Sequence, residues 1–335
     1  MTAPRFAFVG PMQGVSPWLL SSLSKAGTLE ALCGETAERD AARYHARWTF
    51  PDLTTLLKES EPAGVVLSQP LSVRPRMIKE CLTAGAAVLV SGPPSRASAC
   101  NRLSLFAKLS GRSILAATAI RFAPAILLAK RLLDSGKVGV PISMTVHCTY
   151  RGAPRQGSDD DGPIPADQVF EVVDLVHFLL GPLAQVSAVA HGDGVLAAVG
   201  TSLSSAVVSL VYHASGSAEA VGLDLEIRGA DGTFLRVDRD ARLLCANGSR
   251  VDAAHRSTLA SADPAVELGY EGLAAEFRRL ATAGRTGAGL IGPVGTVMAA
   301  TEALLESAAK KRPVTVKTVV PRPTTKNEEF SAAVL

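Results

Sequence analysis

The sequence predicts an α/β protein with two domains, a parallel sheet in the N-terminal part and an open, mostly antiparallel sheet in the C-terminal part. Three observations lead to this fold class. The 335 residues are enough to build two hydrophobic cores. Short apolar runs alternate with longer helical patterns up to Arg121, and beyond it strand-like runs follow one another with few helices between them. The first arrangement is typical of a parallel sheet covered by helices on both faces, and the second of an antiparallel sheet.

The predicted N-terminal domain comprises residues 1–122. Its apolar runs are short, are bounded by Gly, Pro or polar residues, and are separated by segments with helical periodicity. The predicted strands are residues 6–9, 29–33, 64–67, 87–90 and 113–117.

The predicted C-terminal domain comprises residues 123–318, and a tail at 319–335 is expected to fray. A helix opens this domain, and Gly136 supplies its stop signal. The predicted helices are residues 124–135, 169–180, 271–283 and 294–310, and the predicted strands are residues 142–149, 186–190, 206–212, 223–228 and 234–238.

Charge and cysteine content narrow the possible functions. The 34 basic and 31 acidic residues are scattered, so no basic stripe predicts nucleic-acid binding. No apolar run is long enough to cross a bilayer, so no membrane partner is expected. The five cysteines are widely spaced and odd in number, which favours reduced thiols and a cytoplasmic location over disulfides or a metal site.

Several local patterns occur in a characteristic order along the chain. They are A-G-A-A-V-L-V at 84–90, R-F-A-P at 121–124, D-S-G-K-V-G at 134–139, D-L-V-H-F-L-L-G at 174–181, I-R-G-A-D-G at 227–232 and a closing segment at 307–314. In this order they resemble the Gfo/Idh/MocA oxidoreductases. The resemblance implies an N-terminal Rossmann-type domain that binds NAD(P) and a C-terminal domain that binds substrate. An open sheet with one uncovered face would also favour a homodimer through that face.

The segment after the first strand departs from the dinucleotide fingerprint. Gly10 matches the first glycine, but Met12 and Val15 stand at the second and third positions, and Gly14 is displaced by one residue. A side chain at Met12 is expected to crowd the pyrophosphate, so that the two glycines serve only to form a turn.

The ribose-binding acid is also displaced, because Gly34 stands where it is expected at the end of the second strand. Glu35, one residue later, either substitutes for it or is a solvated loop carboxylate. Binding of NAD(P) is therefore expected to be weak or lost.

The resemblance implies a catalytic loop of the form Glu-Lys-Pro, in which the lysine bonds the reacting hydroxyl. Here the loop is Ser91-Gly92-Pro93, so Pro93 is retained near the cofactor position while Gly92 replaces the lysine. Glycine carries no charge and donates no side-chain proton. The lysine's role is absent unless another part of the chain reaches this position.

The resemblance also implies a histidine three residues before an aspartate on a C-terminal helix. Here the pair is Glu171 and Asp174, and this spacing places both on one helix face. Glu171 is either a general base, with a pKa raised by an apolar cleft, or a surface carboxylate. Asp167, one turn earlier, matches a further acidic position.

Two other residues are weaker candidates. His147 alternates with apolar residues on a predicted strand, where it either faces the cleft as a catalytic residue or is bonded within the sheet. Arg121 either reaches a ligand's oxygens or bonds loop carbonyls, and we expect the second, structural role.

Three functions remain open. The departures fall on function-bearing positions while the packing patterns survive, which favours a fold redeployed in small-molecule metabolism. The chemistry would then be an elimination, isomerisation or cyclisation that uses Glu171, Asp174 and His147. The alternatives are a conventional NAD(P)-dependent oxidoreductase acting on a sugar-like alcohol or ketone, and a non-catalytic relative that binds a metabolite or partner.

Overall fold

The computed structural model describes residues 3–12, 15–151, 166–192, 194–215, 222–238, 243–247, 250–255, 263–283, 289–290 and 292–317. The strands are β1 Arg5–Val9, β2 Thr28–Cys33, β3 Trp48–Phe50, β4 Gly64–Leu67, β5 Ala87–Val90, β6 Ser113–Ala116, β7 Pro141–Arg151, β8 Leu183–His191, β9 Val195–Ser202, β10 Val207–Ser215, β11 Gly222–Gly229, β12 Thr233–Val237, β13 Leu243–Asn247, β14 Arg250–His255, β15 Gly289–Leu290 and β16 Val314–Thr315. The α-helices are α1 Pro17–Ala26, α2 Ala37–Tyr44, α3 Leu53–Ser60, α4 Arg74–Thr83, α5 Ala97–Ser110, α6 Pro124–Asp134, α7 Ala166–Leu180, α8 Pro264–Glu267, α9 Tyr270–Thr282 and α10 Val294–Lys310.

The first sheet has, within the described residues, seven strands in the order β15-β6-β5-β4-β1-β2-β3. All its strand pairs are parallel. Every residue of β4, β5 and β6 is buried, because helices cover both faces. One face packs against α1 and α9, and the other against α3, α4 and α5. The predicted parallel sheet is confirmed.

Two elements from the C-terminal part of the chain join this first sheet. The short strand β15 pairs with β6. Helix α9 packs its Phe277 ring against Phe6 of β1, with ring centroids 5.0 Å apart. The predicted domain boundary at residue 122 accounts for neither contact, because it assigns both elements to the C-terminal domain by their order in the chain.

The second sheet has, among the described residues, nine strands in the order β14-β13-β12-β11-β7-β10-β9-β8-β16. Its pairs are antiparallel except β7 with β10. Helices α6, α7 and α10 cover one face and form the largest core with it. Along β7, Met144, Val146 and Cys148 point into that core while Thr145 and His147 are exposed. The open, mostly antiparallel sheet is therefore also confirmed.

Helix α7 lies where the two sheets meet. A 3-10 turn at Ala119–Phe122 follows β6 and packs against α7 and α9. The first half of α7 thereby faces the carboxyl ends of β4, β5 and β6, the edge at which open α/β sheets bind ligands. Within the described part of the chain, no helix has the length and apolarity needed to cross a membrane.

Candidate active site

The candidate site is the cleft between α7 and the carboxyl ends of the first sheet. Three acidic side chains of α7 point toward this edge, at Asp167, Glu171 and Asp174. Asp167 accepts hydrogen bonds from α4, whereas Glu171 and Asp174 accept them from the 3-10 turn. The spacing predicted from sequence does place these carboxylates along one side of the helix. Their partners differ, and the partners determine what each can do.

Asp167 is held by a buried arginine that the sequence analysis did not single out. Arg74, at the start of α4, donates from Nη1 and Nη2 to the two carboxylate oxygens of Asp167, at 2.9 and 2.6 Å. Its side chain is 1% exposed, whereas that of Asp167 is 18% exposed. Such two-pronged pairs fix both position and orientation.

Gly92 lies directly beside this pair. A Cβ atom built on Gly92 would be 2.7 Å from the carboxylate carbon of Asp167 and 3.1 Å from Nη1 of Arg74. Gly92 also has a φ of +107°, a conformation that side chains disfavour. The loop can therefore hold a glycine here but not a lysine, unless the Arg74–Asp167 pair moves. Pro93 is buried, and its carbonyl accepts a hydrogen bond from Nη1 of Arg74 at 2.8 Å.

Glu171 is half-buried and lies among groups from three other elements. Its Oε1 accepts a hydrogen bond from the backbone N–H of Ile120 at 3.3 Å. Burial raises the pKa of the Tyr212 and Tyr270 phenols, and the charge of Glu171 raises both further. Both phenols thus stay protonated and can donate hydrogen bonds. The hydroxyl of Tyr212 donates a hydrogen bond to the side chain of Gln168, which lies three residues before Glu171 on α7.

The two tyrosines were missed at the sequence level. Tyr212 lies at the end of a segment in which apolar and polar residues alternate, a pattern that predicts a core residue. Its complete burial agrees with that prediction. Tyr270 belongs to a helix assigned by chain order to the other domain. Its ring packs near Trp18 of α1, with centroids 6.1 Å apart. Only the three-dimensional return of α9 to the first sheet brings it to the cleft.

Asp174 is a buried partner of Arg121 and not an open proton acceptor. Nε and Nη2 of Arg121 donate to its two oxygens at 2.7 and 2.6 Å. Burial raises the pKa of Asp174, while the Arg121 guanidinium and the Thr118 hydroxyl act in the opposite direction. Arg121 also stacks over the Phe178 ring at 5.1 Å. The structural role expected for Arg121 is present, although its partner is a carboxylate rather than a loop carbonyl.

His147 does not meet the other candidates. It lies on the exposed face of β7, with Asp224 and Val211 as its register neighbours, because Val146 and Cys148 take the face that packs against α7. The suggestion that His147 faces the cleft is therefore wrong about its position.

Another histidine, His177 of α7, lies close enough to Arg121 to be affected by its charge. Its Nε2 accepts a hydrogen bond from the Leu183 N–H at 3.2 Å. Burial, helped by the charge of Arg121, lowers the pKa of His177 to about 4. The ring is therefore neutral near pH 7 and helps to fix the end of α7 to β8.

The carboxyl ends of β1, β2 and β4 approach one another closely at the edge of the first sheet where a dinucleotide would bind. Gly10 has a φ of +117°, and a Cβ there would be 2.6 Å from the Ser68 carbonyl oxygen. A Cβ on Gly34, with a φ of +144°, would be 3.3 Å from the Gly10 oxygen. The contact excludes a side chain at Gly10, and the positive φ of Gly34 means that an acid at position 34 would be strained. Glu35 follows as an exposed residue, and Gly14 lies outside the described residues.

Met12 differs from its expected placement. It is 5% exposed and belongs, with Val15 and Leu19, to the core on the α1 face of the sheet. Its side chain therefore packs inward and does not project into the space where a pyrophosphate would approach. The predicted crowding has no basis in this geometry. Among the described residues, no group of three or more His, Cys, Asp or Glu side chains could hold a metal ion.

Comparisons with known proteins agree with this architecture. No protein-family model matches the chain. An inositol 2-dehydrogenase of Saccharopolyspora erythraea is 29% identical over 160 residues, which are 47% of this chain and 45% of that enzyme. The match thus spans less than half the length of that relative.

Solved structures align over nearly the whole chain. An oxidoreductase domain protein from Kribbella flavida has a TM-score of 0.74 at 17% identity, covering 95% of this chain and 100% of that one. Levoglucosan dehydrogenase in complex with NADH has a TM-score of 0.71 at 18% identity, covering 94% and 100%. These likenesses confirm the resemblance to Gfo/Idh/MocA-like proteins, and the chain has the fold that these oxidoreductases share.

Proposed function

We propose that the cleft binds a small hydroxylated molecule and that Glu171 transfers a proton during an elimination, isomerisation or cyclisation. The observation that carries this proposal is that the three carboxylates of α7 differ in the groups that donate hydrogen bonds to them. In Asp167 and Asp174 both carboxylate oxygens accept hydrogen bonds from a guanidinium, which fixes the orientation of the group. Glu171 is instead held by the backbone N–H of Ile120.

In this proposal Glu171 takes a proton from a carbon next to a carbonyl group, which stabilises the resulting negative charge as an enolate. The Ile120 N–H orients Oε1 for that step. In an isomerisation the same proton returns at the neighbouring carbon. In an elimination it joins the departing hydroxyl, so that one water leaves and a double bond forms. The protonated phenols of Tyr212 and Tyr270 would donate hydrogen bonds toward substrate or Gln168 oxygens near Glu171. No oxidant or reductant is needed.

A second candidate is an NAD(P)-dependent oxidoreductase, and the inward packing of Met12 favours it. The Ser16 side chain does not cap α1, so the first-turn amides can face an anion. Gly10 and this turn would hold the phosphates and Glu35 the ribose, and Pro93 would border the cofactor. When bound, the nucleotide would supply hydride acceptance. A non-catalytic, metabolite-binding protein is the third candidate, and no particular contact favours it over the others.

One experiment separates these candidates. The protein is incubated in D2O with cyclic polyols, hexoses and their keto derivatives, and proton NMR follows the loss of C–H signals. Exchange or dehydration without nucleotide supports the proposal. Turnover only with NAD⁺ or NADP⁺, seen as nicotinamide absorbance, supports the second candidate. A rise in melting temperature without turnover supports the third.

The role of Glu171 is tested in the same assay with Glu171→Gln. This variant keeps the shape and removes the proton acceptor, so turnover should fall by about a hundredfold or more. Glu276→Gln, which removes a half-buried carboxylate of α9 paired with Arg279, is the matched control. Normal turnover by Glu171→Gln would refute the assignment.

The proposal includes a homodimer and a cytoplasmic location. The uncovered face of the second sheet carries an apolar patch made of Val189, Val199 and Val207, which are 63%, 54% and 47% exposed. Such a patch favours association with a second copy. All five cysteines are free and buried, as is typical of a reducing compartment.

A further inference from the structure

Arg74 is a fully buried charge at the floor of the candidate site. We propose that Arg74 is a positioning residue of this cleft, whose positive charge holds Asp167 beside Gly92 and through it sets the electrostatic surroundings of Glu171. The inference rests on the proposed function only for the importance of Glu171. The arrangement of the charges is independent of it.

The hydrogen bonds of Arg74 join three separate elements. Nε donates to the carbonyl of Gln69, after β4, at 2.6 Å. Nη1 donates to the carbonyl of Pro93, after β5, at 2.8 Å, and also to Asp167. The guanidinium thus ties the carboxyl ends of two neighbouring strands to the first turn of α7. A charge with 1% exposure persists only when it is paired and hydrogen-bonded in this way.

The position of Arg74 accounts for the glycine at position 92. The Cβ of any residue there would be within 2.7 Å of Asp167 and 3.1 Å of Nη1. A lysine reaching into the cleft from this loop would need the volume that the guanidinium fills. The cation that the sequence lacks at position 92 is therefore supplied from α4, and the two arrangements exclude each other.

A guanidinium differs from a lysine in one respect that matters for chemistry. Its pKa is too high for it to release a proton in a protein, so Arg74 cannot act as an acid or base. It can only orient groups and neutralise charge. Asp167 and Glu171 are four residues apart on α7, which makes them neighbours on the helix surface. An Asp167 charge without its cation would therefore act directly on Glu171.

Other charged and titratable groups also face Glu171. Among the contacts that the structure describes, Tyr212 from β10 and Tyr270 from α9 interact with the charge of Glu171, and Asp174, bound to Arg121, lies three residues further along α7. None of them is changed by a substitution at Arg74, so a variant there isolates the contribution of the Arg74–Asp167 pair.

The test is a carboxyl ¹³C NMR titration of the full chain, in which the Glu171 signal is identified by its loss in Glu171→Gln. In Arg74→Gln, the midpoint of the Glu171 signal should rise by about one pH unit, as expected for an uncompensated charge one helical turn away. Arg74→Lys should restore most of the wild-type midpoint because it keeps the charge. Arg236→Gln, which breaks the exposed pair with Asp224 on the second sheet, should leave it unchanged.

An unchanged Glu171 midpoint in folded Arg74→Gln would overturn the proposal and leave Arg74 as a structural tie. If Arg74→Gln does not fold, Asp167→Asn tests the same proposal, with a shift of the Glu171 midpoint in the opposite direction. It leaves the arginine without its carboxylate, so the midpoint should fall, and no shift would again overturn the proposal. Normal turnover by Glu171→Gln together with these shifts would refute the proposed function alone.

Discussion

Arg121 and Asp174 join the first domain to α7 through two hydrogen bonds of 2.7 and 2.6 Å, in an environment where the aspartate side chain is 4% exposed. Asp174 was a catalytic candidate because of its spacing from Glu171. Its contacts with Arg121 attach α7 at the cleft. The Arg74–Asp167 pair performs the same attachment about two turns earlier on the helix, so Glu171 lies between two anchored points.

Loss of the Arg121–Asp174 pair is therefore expected to destabilise the protein strongly. Asp174→Asn leaves a largely buried guanidinium without its counter-charge, which costs about 3 kcal/mol when one partner of a buried pair is removed. The midpoint of urea unfolding measures it. Asp224→Asn breaks the exposed pair with Arg236 and should cost less than about 1 kcal/mol. Equal effects of the two variants would contradict the anchoring role of Asp174.

Acid sensitivity should arise in part from His177. Its pKa is lowered to about 4 in the folded protein by burial, from an ordinary value near 6.5. The unfolded chain therefore binds the proton first, so stability is complete above about pH 6.5 and is lost as the pH falls toward 4. The loss amounts to about 3 kcal/mol at pH 4.

The pH dependence can be assigned by comparing melting temperatures of wild type and His177→Gln between pH 7 and about pH 4. The variant keeps a hydrogen-bond acceptor for Leu183 and removes the titration, so its curve should be flatter. Asp174 changes stability in the opposite direction, because its pKa is raised in the folded state, and the comparison cancels it. His191→Gln, at an exposed histidine, should leave the slope of wild type intact.

A methyl group at Gly92 should be poorly tolerated. Gly92→Ala combines a positive φ with a contact of 2.7 Å to Asp167. Gly136→Ala has a positive φ of +72° and nothing within 4 Å of the new atom, so it measures the backbone strain alone. We expect Gly92→Ala to lower stability by about 1–2 kcal/mol more than Gly136→Ala. Indistinguishable unfolding midpoints would mean that the Arg74–Asp167 pair can shift at little cost.

The proposed dimer is tested on its apolar patch. Val199→Asp places a charge on β9, the middle strand of this patch, and should convert a dimer to a monomer in sedimentation velocity. Leu109→Asp, at a residue of α5 that is 50% exposed on the first domain, should leave the dimer intact. A wild-type protein that sediments as a monomer at micromolar concentration would remove this part of the proposal.

The fold could be predicted from the sequence because its signals are local. Apolar runs such as β4 and β5 are buried on both faces, and the alternation along β7 identifies a one-sided sheet. The short strands β3, β15 and β16 were not predicted, since two or three residues carry no period. Strand β9 was missed because its residues, such as Ala197 and Gly200, have weak strand preference.

The candidate site was predictable only where its residues lie on one helix. Asp167, Glu171 and Asp174 follow from spacing along α7. The partners Arg74 and Arg121 are 93 and 53 residues away from the acids that they bind, so sequence spacing gives no indication of either pair. His147 was misplaced because an alternating strand does not reveal which of its faces meets the cleft. Met12 was misplaced because a side chain beside a turn can fold inward.

The packing of α9 on the first sheet has a consequence for the order in which the chain becomes stable. The apolar face formed by Phe6 and Phe8 is closed by Leu273 and Phe277, residues synthesised more than 260 positions later. When only the first 122 residues have left the ribosome, the nascent chain exposes that apolar face to chaperones and to other nascent chains. The N-terminal sheet therefore cannot mature as an independent unit, and a fragment ending there should aggregate unless the α9 segment is supplied in trans.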